Sequence, residues 1–151
     1  MRHAFFVFVL TMSAACVISG CKKEEATFTA HEVLLSRWCK ASETLNYELY
    51  KKCEAYPREQ SVFNDMYKDF YFADPRVVKL EDLNEKDIQK DFDGNSFVKR
   101  NLYFECVEVK RSDKKQVRLN GEAFIIKFTN GNRAGEDWFM ANRTLVRLER
   151  N

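Results

Sequence analysis

The side chains of this sequence that could do covalent chemistry are its cysteines and histidines. Cys39, Cys53 and Cys106 carry thiols, and His31 carries an imidazole of the kind that activates a nucleophilic thiol. However, His31 falls in the first turn of a predicted helix, where we expect a surface position. The cysteine spacings match no zinc-ligand pattern, and no phosphate loop, G-x-S-x-G or H-E-x-x-H motif occurs. We therefore expect no enzymatic activity, no metal and no cofactor.

An uncharged segment near the N-terminus leads to a further cysteine. Residues 4–18 carry no charge; such a segment is short for a membrane span and is typical of the apolar core of an export signal. It ends in Ile18-Ser19-Gly20-Cys21, an aliphatic residue and two small residues before a cysteine. This motif resembles the lipobox of bacterial lipoproteins. The resemblance implies that the Cys21 thiol is diacylated, that residues 1–20 are removed and that the new amino group is acylated.

Cys16 is a rival lipidation site. It follows Ser13-Ala14-Ala15, so the aliphatic residue three positions before the cysteine is missing. Cleavage there would also shorten the apolar core of the signal. We therefore assign lipidation to Cys21.

The residue after the cysteine bears on which membrane holds the protein. In enteric lipoproteins an aspartate at this position favours the inner membrane, and Lys22 stands here instead. The resemblance thus implies the periplasmic face of the outer membrane, with two or three acyl chains giving a stable anchor. Residues 21–28 would form a lipidated tether and residues 29–151 a single periplasmic domain.

The charge of the exported chain is nearly balanced. The sequence has 25 basic and 23 acidic residues, and removing the signal takes away only Arg2. A nucleic-acid-binding protein would show a basic excess. The expected partners are the membrane, through the lipid anchor, and another envelope or secreted protein.

Three cysteines remain in an oxidising compartment and allow one disulfide. On one continuous helix Cys39 and Cys53 would lie about 21 Å apart, whereas a disulfide needs Cα atoms within about 7 Å. Either residue would then have to pair with Cys106. A helix break within residues 42–46 would allow a Cys39–Cys53 bond. We favour this break and this pairing, because Ser42, Thr44 and Asn46 are mediocre helix formers.

Two polar segments are candidates for binding. Residues 91–95, DFDGN, have the composition of a calcium loop, but the glycine is at the fourth position instead of the sixth and Leu102 replaces the final glutamate. We interpret them as an Asp-Gly turn in a solvated acidic segment. The second candidate is a basic hairpin tip that could contact a partner or lipid headgroups. The alternative is a soluble turn whose polar residues prevent aggregation. The residues of this tip are Lys110, Arg111, Lys114, Lys115 and Arg118.

Helical spacing dominates the first half of the mature chain. Thr29 and Glu32 form a capping box, and apolar residues then recur with helical period until Pro57 stops the pattern. The sequence leaves open whether this is one helix or two. A further helix is predicted over residues 61–72, where four apolar residues form one stripe.

In the second half of the chain, apolar and polar residues alternate as they do in β-strands. Residues 77–80 predict a short strand, residues 81–95 a loop or short helix, and three longer runs predict strands. These runs are residues 97–110, 116–128 and 138–148. A phase slip after Cys106 and the pair Asn120-Gly121 each indicate a β-bulge, and residues 111–115 indicate a hairpin turn.

These elements predict an α+β fold. N-terminal helices would pack on a curved antiparallel sheet of three to four strands arranged as a C-terminal meander. This order of elements is similar to that of the cone-shaped nuclear transport factor and cystatin-like superfamilies. We expect one core containing Trp138, Phe124, Phe128, Phe104, Leu45, Leu49, Phe63 and Phe70.

Two functions remain for such a domain. The first is binding of another protein at the membrane, as an accessory of an envelope complex or as an immunity or exclusion factor. The alternative is a carrier that encloses a small apolar ligand between helices and sheet. The residues that would line its pocket are Trp38, Phe70, Phe124, Phe128 and Trp138.

Overall fold

The structure is a computed structural model that describes residues 22–141 and 147–150, with side chains described for residues 30–141. The predicted signal peptide, the rival Cys16 and the predicted lipidation site Cys21 lie outside the described residues. No helix in the described ranges is both long and apolar enough to cross a membrane.

Three helices come first in the described chain: α1 (Lys22–Thr44), α2 (Tyr47–Cys53) and α3 (Gln60–Tyr67). The expected break in the first helical segment is confirmed, since Leu45 has a left-handed φ of 50° between α1 and α2. The side chain of Asn46 then caps α2 by accepting a hydrogen bond from the backbone N–H of Leu49. The predicted start near Thr29 is wrong, because α1 already begins at Lys22.

The third helix is shorter than its apolar stripe predicts. It ends at Tyr67, and Phe70 already begins strand β1 (Phe70–Leu80), so the predicted helix end at Phe72 is wrong. Three consecutive aromatic residues at the start of β1 favour extended backbone. Asp74, with φ 47°, and Pro75 lie within β1, at an irregularity in its pairing. A proline is tolerated there because a bulge leaves its missing N–H without a required partner.

The remaining strands are β2 (Gln89–Lys90), β3 (Ser96–Lys110), β4 (Gln116–Phe128), β5 (Phe139–Met140) and β6 (Arg147–Arg150). They form one antiparallel sheet in the order β1-β3-β4-β5, with β2 also beside β3 and β6 also beside β4. Helices that precede an antiparallel sheet confirm the α+β class. The predicted strand over residues 138–148 is two short strands, β5 and β6, which both pair with β4.

The central hairpin is more regular than expected. The β3–β4 register runs without interruption from the pair Phe97–Phe128 to the pair Val109–Gln116. The bulge predicted at Asn120-Gly121 is therefore wrong. The irregularity predicted after Cys106 is found in the pairing of β3 with β1, where the register shifts between Ala73 and Arg76, opposite Cys106. Gly121 has a different role, because a Cβ atom at this position would overlap the ring of Phe104. The glycine lets that ring pack flat against the backbone of β4.

Most of the buried apolar residues between positions 30 and 141 pack into two clusters. The main cluster lies between the helices and the sheet and includes Phe63 and Phe104, with Leu49, Phe70 and Trp138 partly buried against it. The second contains Ala55, Ile126, Phe128 and Phe139.

The single predicted core is therefore only partly confirmed. Phe128 belongs to the second cluster, and Leu45 and Phe124 are 41% and 44% exposed. Phe124 alternates with the buried Ala123 and Ile125 along β4, so its side chain lies on the opposite face of the sheet. Leu45 lies at the break between α1 and α2, where the left-handed backbone ends the apolar stripe.

Candidate functional site

A tight turn precedes β3 and is organised by one carboxylate. We call residues 91–95 the Phe92 turn. The carboxylate of Asp91 accepts four hydrogen bonds: from the backbone N–H groups of Asp93 and Asn95, the side-chain amide of Asn95 and the hydroxyl of Tyr56. The side-chain hydrogen bond from Asn95 is the main cause that lowers the pKa of Asp91. The carboxylate is therefore ionised at neutral pH and holds the turn in one conformation.

A glycine within the turn and contacts from the adjacent loop also fix its conformation. Gly94 provides its left-handed residue, with φ 82°. On the adjacent loop, the side-chain oxygen of Asn130 accepts a hydrogen bond from the backbone N–H of Ser96, and the Asn130 amide donates to the Ser96 hydroxyl. Gly131 lies so close to the Asn95 side chain that a Cβ atom would overlap it. The two loops thus support each other and frame a depression of about 340 Å³.

Phe92 is displayed at the tip of this turn. It is 98% exposed, although phenylalanine belongs to the residue types that proteins most often bury. Ile88, three residues before Asp91, is 55% exposed. Single exposed apolar residues are common. Because hydrogen bonds fix the turn that carries this exposed aromatic ring, Phe92 is a candidate contact residue.

The charges around Phe92 are mostly negative. Asp93 is exposed beside it, and the segment before the turn carries further carboxylates. The cations are Lys86 and Lys90 in that segment and Arg133, which lines the depression together with Asp91 and Asp93. The excess of negative charge opposes approach to a bilayer of anionic lipids. The carboxylates of the preceding loop are Glu81, Asp82, Glu85 and Asp87.

The basic hairpin tip does not form one surface. Lys110 pairs with Asp113 at 3.8 Å, while Arg118 pairs with Glu105 at 3.9 Å on the sheet. Lys114 and Lys115 remain exposed. Arg111 turns inward, where its guanidinium donates to the backbone oxygens of Ser42, Glu43 and Tyr67. Arg111 therefore joins the ends of the helices to the sheet and differs in this from the other four basic residues considered for a partner.

His31 is placed differently from its prediction. It is fully buried, and its ring lies 5.4 Å from that of Trp138. The expected surface position is wrong because α1 begins before Thr29, so His31 falls inside the helix, on the side that packs against the rest of the domain.

The three described cysteines are buried free thiols, and the predicted Cys39–Cys53 disulfide is not formed. Burial raises the pKa of all three thiols, to about 11 for Cys53 and about 12 for Cys106. For Cys39 the neighbouring Cys106 and Cys53 add to this effect. Each thiol is protonated at neutral pH and packs as a small apolar side chain in the main cluster. The helix break that the Cys39–Cys53 bond would require is present, but both side chains are thiols that pack in the main cluster.

A groove lies beside the middle of α1. One wall is α1 with the end of α2, and the other is the segment that leads into β5, residues 135–139. Its volume is about 840 Å³. We call it the Trp138 groove, because the half-buried Trp138 forms part of its surface.

The residues suggested as the lining of a carrier pocket are not brought together. Trp38 is buried in the main cluster, Phe70 packs against that cluster, Phe128 lies in the second cluster and Phe124 is exposed. Trp138 alone lines the groove. In the described part of the chain, no group of three or more histidines, cysteines or carboxylates could hold a metal ion.

Comparison of this chain with protein-family models, with curated proteins and with solved structures finds no match. The candidate site thus depends on the geometry alone. Sequence reasoning treated residues 91–95 as an ordinary turn and missed Phe92. The signal that could have found it is an aromatic residue between two aspartates in an otherwise polar segment.

Proposed function

We propose that this chain is a lipid-anchored envelope lipoprotein that acts by binding another protein, and that Phe92 is a central contact residue. The observation that carries the proposal is the 98% exposure of Phe92 on a turn held by four hydrogen bonds to Asp91. The lipobox-like motif at residues 18–21 supports the anchor, and Lys22 directly after it supports the outer membrane.

The energetics favour a ring presented in this way. Moving a phenylalanine side chain from full exposure to full burial is worth about 1.5–3 kcal/mol. Binding normally loses part of such a gain to the ordering of loops and side chains. Because the hydrogen bonds to Asp91 order the Phe92 turn in the free protein, this loss is small here.

The acidic surroundings indicate the chemistry of the partner surface. A pocket that accepts Phe92 would need an apolar interior, and basic residues at its rim would attract Asp93 and the loop before it. Attraction between these opposite charges speeds the encounter of the two proteins. Because salt screens the attraction, the association rate should fall as ionic strength rises.

Replacing Phe92 tests the proposal. We expect Phe92→Ser to weaken binding of the purified partner by about thirtyfold or more, the effect typical of a central contact residue. The partner is identified by installing a photo-crosslinking phenylalanine analogue at position 92 in the anchored protein in cells. Its affinity for purified wild type and variant is then measured by calorimetry.

Phe124→Ser is the matched control, since Phe124 is also exposed but lies in β4 and does not line the depression at the Phe92 turn. It should bind the partner like the wild type. Equal affinity of Phe92→Ser and wild type would contradict the assignment of the contact. Crosslinks from position 92 that reach only phospholipid would contradict protein binding itself.

The anchor is tested separately at Cys21. We expect Cys21→Ser to abolish labelling by radioactive palmitate and to block removal of residues 1–20, because acylation of the thiol precedes cleavage in lipoproteins. Cys16→Ser is the control and should be labelled and processed normally. Labelling that persists in Cys21→Ser and disappears in Cys16→Ser would move the anchor to Cys16.

A further inference from the structure

The Trp138 groove is separate from the Phe92 turn and has a surface of its own. Along α1 its wall is made by residues at helical spacing, among them Ala30, Val33 and Arg37. Val33 is 42% exposed and provides apolar surface at the groove. On the other wall, residues 135–137 are exposed and Trp138 is half-buried.

The Trp138 indole is held in place from behind. The buried His31 lies 5.4 Å from it, and the Arg100 guanidinium lies 5.8 Å from its ring centre. Trp138 and Val33 together form an apolar strip in the groove. Because neighbouring side chains hold the indole, the shape of this strip is fixed before any ligand binds. Rigid aromatic side chains in a groove are typical recognition elements for extended peptides.

Charges border this strip on both sides. Arg37 on α1 and Lys52 on α2 are exposed, and neither makes an ion pair with any other side chain described in the structure. On the facing wall, Glu136 lies 3.8 Å from Arg133, which offsets its charge, and Asp137 follows it. The helical wall therefore offers two cations to an anionic group of a ligand.

We propose that the Trp138 groove binds an extended peptide segment of another protein, with an apolar side chain on Val33 and Trp138 and a neighbouring carboxylate between Arg37 and Lys52. The charge complementarity of the helical wall identifies the acidic side chain, and the apolar strip identifies its neighbour. A small apolar ligand fits less well, because such ligands are normally enclosed over most of their surface, whereas Val33, Arg37 and Lys52 lie open to water.

Random peptide display on the full-length protein in detergent tests the proposal. We expect the enriched peptides to share an acidic residue next to leucine or phenylalanine. A fluorescein-labelled consensus peptide then gives the dissociation constant by anisotropy. The double variant Arg37→Glu/Lys52→Glu should weaken its binding by about tenfold or more, since reversed charges repel the carboxylate. Val33→Asp should weaken it as well.

Lys40→Glu is the matched control, because Lys40 is an exposed cation of α1 that pairs with Glu43 outside the groove. It should bind the peptide like the wild type, and far-UV circular dichroism confirms that each variant is folded. Unchanged binding by Phe92→Ser separates this site from the one in the proposed function.

Three results would overturn the inference. The first is a display that enriches no peptide over a surface without protein. The second is a consensus peptide that binds the Arg37→Glu/Lys52→Glu variant as tightly as the wild type. The third is dodecanoate that binds with the expected dependence on Arg37 while no peptide does, which would make the groove a site for an amphiphile.

Discussion

Replacing Phe63 by alanine is expected to lower the free energy of unfolding by about 4 kcal/mol. Phe63 is fully buried and lies at the centre of an aromatic group, 4.6 Å from the ring of Tyr50, 5.2 Å from Tyr67 and 5.8 Å from Tyr47. The truncation removes the ring that joins α3 to α2 and leaves a cavity that the flanking tyrosines cannot fill. Small domains are stable by only about 5–15 kcal/mol, so this loss removes between about a quarter and four fifths of the stability.

Urea unfolding followed by circular dichroism measures the change as a lower midpoint with an unaltered slope. Val62→Ala is the control, since its side chain is 40% exposed on the same helix, and it should change stability by less than about 0.5 kcal/mol. A loss below about 1.5 kcal/mol in Phe63→Ala, well under the usual range for a buried phenylalanine, would mean that α3 does not depend on this contact.

The features that could be predicted from the sequence are those set by local patterns. The break near residues 42–46 was predictable because Asn46 is a good cap and the residues before it are poor helix formers. Strands β3 and β4 followed from their alternation, and the turn between them from its polar residues. Helices before an antiparallel meander were enough to predict the α+β class.

Other features depend on contacts between distant residues and leave no local signal. The stripe that predicted a helix up to Phe72 is interrupted because β1 pairs with β3 from Phe70 onwards. Asn120-Gly121 looks like a bulge, yet Gly121 is required by the ring of Phe104, which lies on a different strand. A periodic pattern cannot distinguish these cases, since pairing in a sheet is settled by partners far along the chain.

The candidate site also combines a feature set by local sequence with one set by contacts between distant residues. An Asp-Gly turn at residues 91–95 was predictable from its composition. That the turn holds Phe92 in water was not, because this depends on Tyr56 and Asn130, which come from two other parts of the chain. In the same way, the basic composition of the hairpin tip indicated a binding surface, whereas the position of Arg111 depends on where α1 and α3 end.

Arg111→Ala is expected to destabilise the domain by about 3 kcal/mol, because a hydrogen bond to a charged group contributes about 1.5–3 kcal/mol and the bonds of one side chain are not additive. The guanidinium donates to the backbone oxygens of Glu43 at 3.0 Å and Tyr67 at 2.9 Å, and also to that of Ser42. These oxygens lie at the C-terminal ends of α1 and α3, where carbonyls lack helical partners and a cation is favoured by the helix dipole.

Arg111→Lys separates the charge from the geometry. An ammonium keeps the charge but cannot reproduce the planar set of donors that reaches three carbonyls, so we expect a loss of about 1.5 kcal/mol, between wild type and alanine. Lys115→Ala, an exposed cation of the same hairpin, should change stability by less than about 0.5 kcal/mol. If Arg111→Ala unfolds at the same urea concentration as Lys115→Ala, the hairpin does not hold the helix ends, and Arg111 returns to the set of basic residues available to a partner.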